Sequence, residues 1–229
     1  MPNWVYNGLT IEGNPEYVTK LVEQMNTPFV DYIEANGDLA FGIKEIKYSN
    51  PVFSFRNIIA PTDLEAYKGQ PWTGEADNRL ENPDSWYNWN IRNWGVKWDV
   101  AVSNEEQYPD TYIEGPVANG DNSVVYYNFN TAWGVAEPAL INLSSQYPYL
   151  LFTLSYEEET GWGGEAEFLR GTMISDSQYN WRCQDCDSTR DEAIYCEECE
   201  DEICLDCGYG QLDDHVNHVL ESTKIKDNA

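Results

Sequence analysis

The chain has 229 residues, 41% of them hydrophobic and 14% aromatic, enough apolar material for a packed core and too much for a disordered chain. Forty acidic residues against thirteen basic ones leave a formal charge of -27, a field that repels other polyanions. Direct binding of DNA, RNA or an anionic membrane is thereby disfavoured, and a basic protein or a divalent cation is what such a field attracts.

The opening segment, MPNWVYNGLTIEG, has neither the basic region nor the apolar run of a signal peptide. No later stretch approaches the roughly 18 to 20 apolar residues of a membrane span. The expectation is a cytoplasmic protein whose cysteines stay reduced, so that clustered cysteines point to metal rather than to disulfides.

Taken in chain order, Trp4 to Glu12 reads as a strand, and Asn14-Pro15 supplies an N-cap followed by proline at the first helical position. Val18, Leu21, Val22 and Met25 then fall at i, i+3, i+4 and i+7, which predicts a helix ending near Asn26. From about Thr27 to Val96, prolines at 28, 51, 61, 71 and 83 interrupt the pattern, and the segment reads as a long insertion of short helices and loops. Trp98 to Ser103 and Ser123 to Ala132 are predicted as an antiparallel pair of strands. Glu137 to Gln146 is predicted as a short helix stopped before Pro148, Tyr149 to Glu158 as a strand, and Glu165 to Ser175 as one further strand hairpinned onto it. The order β-α-(insertion)-β-β-α-β plus an extra strand predicts an α+β fold, a ferredoxin-like antiparallel sandwich.

The blocks WNIRNWGVKWD (residues 89–99), YNFNTAWGVAEPALINLSSQYPYLLFTLSYEEE (127–159) and GWGGEAEF (161–168) resemble the YubB-type ferredoxin-like domain of phage and plasmid proteins. The most specific part is the pairing of Trp94-Gly95 with Thr131-Ala132-Trp133. The resemblance covers about residues 1–175, with the insertion at about 27–96, and implies a mobile-element origin without an established activity.

Beyond a short linker at 176–182 the composition changes. The spacing Cys-x2-Cys-x9-Cys-x2-Cys-x4-Cys-x2-Cys-x7-His-x2-His uses Cys183, Cys186, Cys196, Cys199, Cys204, Cys207, His215 and His218. These are all six cysteines and both histidines of the chain. Zn²⁺ takes four tetrahedral thiolate or imidazole ligands, and two residues between paired ligands let a tight turn present both to one ion. Eight ligands therefore make two Zn²⁺ sites, closed and structural, with no position for a reactive water. Ile194, Ile203, Leu205, Leu212 and Val216 are too few to order some forty residues by apolar burial alone, so metal must supply the difference. Spacing leaves sequential and interleaved ligation both open. The pattern resembles a B-box zinc finger more closely than a ZZ-type one. The B-box resemblance implies Cys183, Cys186, Cys204 and Cys207 on one ion and Cys196, Cys199, His215 and His218 on the other. The expected module is 183–220, followed by a tail at 221–229.

Two further features bear on chemistry. Trp86, Trp89, Trp94 and Trp98 with Tyr87 could stack on sugars or anchor a partner, but the expectation is that they pack the insertion onto the sheet. Glu157, Glu158 and Glu159 beside Glu165 and Glu167 are expected to form a solvated acidic face rather than paired catalytic carboxylates. With both histidines taken as ligands, no nucleophile-base pair can be assembled, and no catalytic residue is expected. The expected function is that of a phage or mobile-element accessory binding protein. It presents an acidic surface to a basic host or phage protein, with nucleic-acid mimicry as one route. The alternative is an enzyme using acids at the sheet end, with zinc only structural.

Overall fold

Strict alternation in the first strand builds the fold's centre. In β1 (Trp4–Gly13) the side chains of Val5, Leu9 and Ile11 are buried, while Tyr6 on the opposite face is exposed. The structure, a computed structural model, describes residues 3–34, 43–68, 83–100, 111–183, 189–190, 194–196 and 201–203. Helix α1 (Pro15–Met25) follows as expected: the Asn14 side chain accepts from the Glu16 N–H at 2.9 Å, and Val18, Leu21 and Met25 are buried. Lys20 pairs with Glu16 one turn earlier.

The insertion is more ordered than its prolines imply. It contains a hairpin of β2 (Phe29–Glu34) and β3 (Ile43–Tyr48), a single 3-10 turn (Phe55–Asn57), and helices α2 (Leu64–Lys68) and α3 (Trp86–Trp94). The sheet resumes with β4 (Tyr112–Asn119) and β5 (Asn122–Ala132), then α4 (Glu137–Gln146), β6 (Leu150–Glu158), β7 (Gly163–Leu169) and β8 (Thr172–Tyr179). The order across this sheet is β4-β5-β1-β6-β7-β8. Taking β1, β4, β5 and β6 as the four strands of a βαββαβ unit, the order second-third-first-fourth is the ferredoxin-like one, with β7 and β8 added beyond the fourth. β5 runs antiparallel to both β1 and β4.

Three expectations change. Trp98–Val100 is not a strand, and 101–103 lie outside the described residues. The Asp99 carboxylate accepts from the backbone N–H of Phe55, Arg56 and Val100 and from the Ser54 hydroxyl at 2.5–3.1 Å, tying this segment to the 3-10 turn. The partner of β5 is instead β4, a strand that Gly115-Pro116 conceals in the sequence. A register shift between Glu114 and Val117 accommodates the proline on an edge strand. The stretch 165–175 is two strands, because Arg170 and Gly171, with φ of 54° and 76°, make the two-residue turn that a hairpin requires. Residues 176–182, expected as a linker, belong to the end of β8 and to β9 (Trp181–Arg182).

The core lies on the helix-bearing face of the sheet. Phe53 stacks on Phe129 with ring centroids 4.9 Å apart, and Phe55 meets Phe129 edge-on and Trp94 at 6.0 Å. The Trp94 indole N–H donates to the Ile59 carbonyl at 3.1 Å. Gly95 closes α3 in the left-handed region (φ 88°), and a Cβ there would stand 2.6 Å from Pro138 Cδ. The Trp94-Gly95 motif thus sets the approach of α3 to the start of α4.

The chain divides into two units: Met1–Tyr156 with Glu165–Asp176, and Glu157–Gly164 with Ser177–Ala229. The second unit holds β9, β10 (Thr189–Arg190), β11 (Ile194–Cys196) and β12 (Asp201–Ile203). Its two hairpins pair Arg182 with Thr189 and Cys196 with Asp201.

Gly95→Ala should destabilise the first unit by about 2 to 4 kcal/mol, since it adds both backbone strain and overlap with Pro138. Urea unfolding would show this as a lower midpoint at unchanged slope.

Candidate functional site

In the first unit the helices cover one face of the sheet and leave the other open, as an antiparallel sheet allows. Tyr6 on β1, Tyr126 on β5 and Tyr112 on β4 stand on this open face with 52%, 40% and 52% of their surface exposed. The register sets Tyr126 between Thr10 and Glu114, and Tyr112 beside Asn128. Ala166 and Phe168 of β7 are buried on the covered side, which places exposed Glu165 and half-buried Glu167 on the open one. None of the six strands of this sheet contains a lysine or an arginine. The open face is aromatic, amide-bearing and acidic.

At the end of this face the aromatics close around a cation. Trp4, two residues before Tyr6 on β1, lies 6.5 Å from Trp98, and Trp98 lies 5.2 Å from Trp133. The Lys97 ammonium stands over the rings of Trp98 (4.6 Å), Trp133 (5.4 Å), Trp86 (5.7 Å) and Tyr87 (5.9 Å). Trp133 adopts φ 63°, a conformation disfavoured for a bulky side chain. It is held there by its N–H on the Asn3 carbonyl and by the Thr131 hydroxyl, which donates to the Gly134 carbonyl at 2.6 Å. Thr131 in turn accepts from the buried Asn7 amide at 3.0 Å. The expected aromatic cluster therefore divides: Trp86 and Trp94 are buried, whereas Trp98 is 39% exposed, and Trp133, outside that expectation, is 51% exposed beside it.

The acids after β6 also part company. Glu157 takes a hydrogen bond from the Tyr179 hydroxyl at 3.1 Å and an ion pair from Arg182. Glu158 points the other way and is buried rather than solvated, its carboxylate accepting from the Thr160 N–H and hydroxyl at 2.6 and 2.5 Å across the turn that leads to β7. These two carboxylates hold backbone and a counter-ion, not each other.

Of the eight expected zinc ligands, Cys183 is buried beside Trp181, and Cys196 is the last residue of β11. Cys186, Cys199, Cys204, Cys207, His215 and His218 lie outside the described residues. Among the described residues no group of three or more histidines, cysteines or carboxylates is placed to hold a metal. Sequence reading missed Tyr6, Tyr112 and Tyr126, whose common face depends on the β1-β5-β4 register, and Lys97, whose role depends on bringing Trp86 and Tyr87 of α3 together with Trp98 and Trp133.

The sheet order and helix placement define a ferredoxin-like α+β domain. Residues 97–200 match the family model described as "Ferredoxin-like domain in Api92-like protein". A crystal structure of a protein api92 from Yersinia pseudotuberculosis aligns with 79% of this chain and 99% of that one, at 11% identity and a TM-score of 0.44, too distant to transfer residue roles. No curated protein matches the chain.

No helix among the described residues is long and apolar enough to cross a membrane. Burial, and then the Glu157 charge, hold the Tyr179 phenol above its ordinary value of 10.0. Burial, and then the neighbouring Tyr147 phenol, raise Tyr127 further, and its hydroxyl has no hydrogen-bond partner among the described residues. A phenol that keeps its proton more tightly when folded contributes stability that is intact below its unfolded value and lost as pH rises through its folded one. Thermal stability should therefore fall above about pH 10. Tyrosinate absorbance should show a late fraction that appears only on unfolding. Tyr127→Phe should remove part of that fall and cost little at neutral pH.

Proposed function

We propose that this chain is a binding protein whose open sheet face receives a basic protein. The observation that carries the reading is a six-stranded sheet without a single lysine or arginine, bearing exposed Tyr6, Tyr112 and Tyr126 among glutamates. Aromatic side chains offer large contact area at low entropic cost, and the acids around them steer a cationic partner. The same acids disfavour nucleic acid as the ligand. A partner so chosen is one whose basic surface otherwise holds nucleic acid, so occupancy by this face would act as mimicry. The YubB-type motifs favour a mobile-element accessory protein that meets a host or phage factor in the cytoplasm. Catalysis by acids at the sheet end is the weaker reading, because Glu157 and Glu158 are committed to Arg182, Tyr179 and Thr160.

The C-terminal unit we read as a zinc-held module carrying Cys183, Cys186, Cys204 and Cys207 on one ion and Cys196, Cys199, His215 and His218 on the other. Two positions support this reading. Cys183 directly follows β9 where that strand parts from β10, and Cys196 ends β11 opposite Asp201, so each opens a Cys-x2-Cys pair at a hairpin's departure point. Zinc there would supply structure, at about 10 kcal/mol per site.

Tyr6→Ala, Tyr112→Ala and Tyr126→Ala combined should abolish capture of a basic partner from host cytosol while leaving circular dichroism and melting of the first unit unchanged. Binding should also weaken steeply between low and moderate salt. A complex indifferent to both would refute the reading. Elemental analysis should return two zinc ions per chain. Chelation should expose reactive thiols and remove amide protection from 189–203, leaving β1 and β5 protected. A metal-free preparation that keeps that protection would rule out the zinc module.

A further inference from the structure

We propose that Trp86, Tyr87, Trp98 and Trp133 form a cage for an alkylammonium or guanidinium group, and that Lys97 is its resident occupant, standing where a lysine or arginine of the basic partner would bind. The identity of the physiological ligand rests on the reading of the chain as a binder of basic proteins; the chemistry of the cage does not.

Four rings within 6 Å of one ammonium make an unusual cation environment. Each ring face carries the negative lobe of its quadrupole, so several faces converging on one point define a site selective for positive charge. Two features separate this cluster from ordinary packing. Its outer walls, Trp98 and Trp133, are left 39% and 51% exposed, whereas packing aromatics such as Trp94 are buried. Trp133 is also held at φ 63°, and backbone strain of that kind, about 1 to 3 kcal/mol, persists where the surrounding structure imposes it. Here the surrounding structure is the Asn3 carbonyl, the Thr131 hydroxyl and the Asn7 amide behind it.

The position of the cage fits the proposed ligand. Trp4 touches Trp98 from one side and shares its strand face with Tyr6, so the cage adjoins the open, acidic sheet. A cationic side chain of a partner lying on that sheet would reach the cage at its end. Lys97, a tethered competitor, sets the affinity that an incoming cation must exceed.

Tetramethylammonium is the probe, because it cannot donate a hydrogen bond and binds only through ring faces. Lys97→Met should bind it about tenfold more tightly than the wild type, followed by the indole N–H resonances, and Trp133→Ala in that background should abolish the gain. Equal affinity in Lys97→Met and wild type, or a gain indifferent to Trp133→Ala, would overturn the proposal. Should Lys97→Met fail to fold, the wild type decides: the ring-shifted Lys97 Cε protons should return toward their solution values as the probe is added. If they stay put while the probe saturates, the cage is closed to ligands. The Tyr6, Tyr112 and Tyr126 substitutions should leave probe binding intact, so a failed partner surface and a failed cage give different results.

Discussion

The Asp99 carboxylate is the constraint on which most of the first unit depends. Placed beside the 3-10 turn, it accepts three backbone N–H bonds and the Ser54 hydroxyl, satisfying donors that a short turn leaves orphaned. That turn carries Phe55, which meets Phe129 of the sheet and Trp94 of the insertion's last helix, while Phe53 just before it stacks on Phe129. Lys97 and Trp98 lie on the short stretch between Trp94 and Asp99, both of which are anchored. One half-buried acid thus fixes the inner rings of the core and the outer rings around the lysine.

The charge of -27 is unevenly placed across the secondary structure. Lysine and arginine occur in α1, β3, the 3-10 turn, α2, α3, β9 and β10, and not in the six-stranded sheet. Glu158 shows that part of the acidity is structural, since its carboxylate is spent on a turn. Glu114, Glu165 and Glu167 make no comparable commitment to the backbone of their own turns, and they stand on the face where the tyrosines are exposed.

Much of the fold was legible because its period was clean. β1, α1, β5, α4 and β6 each show alternation or a 3.6-residue stripe bounded by a cap or a proline, and each lies within a residue or two of its expected limits. β4 was hidden because YIEGPVAN carries the Gly-Pro that normally ends a strand, tolerated here by a bulge at the sheet edge. β7 and β8 merged in the sequence because one of the two positive-φ turn positions is Arg170, which no turn rule favours. The motif pair Trp94-Gly95 and Thr131-Ala132-Trp133 was visible, but not its meaning. Gly95 permits close approach to Pro138, and Thr131 braces the loop that presents Trp133. Cysteine spacing was the plainest signal of all, and two of its eight positions, Cys183 and Cys196, fall at hairpin departures.

The division of the chain at Tyr156 and again at Glu165 means that the tip of the β6-β7 hairpin is shared out to the carboxyl-terminal unit. Glu157 finds its counter-ion in Arg182 and its phenol in Tyr179, both contributed by sequence beyond Asp176. A fragment ending at Asp176 would keep an acidic loop stripped of its cation and of the phenol that donates to it.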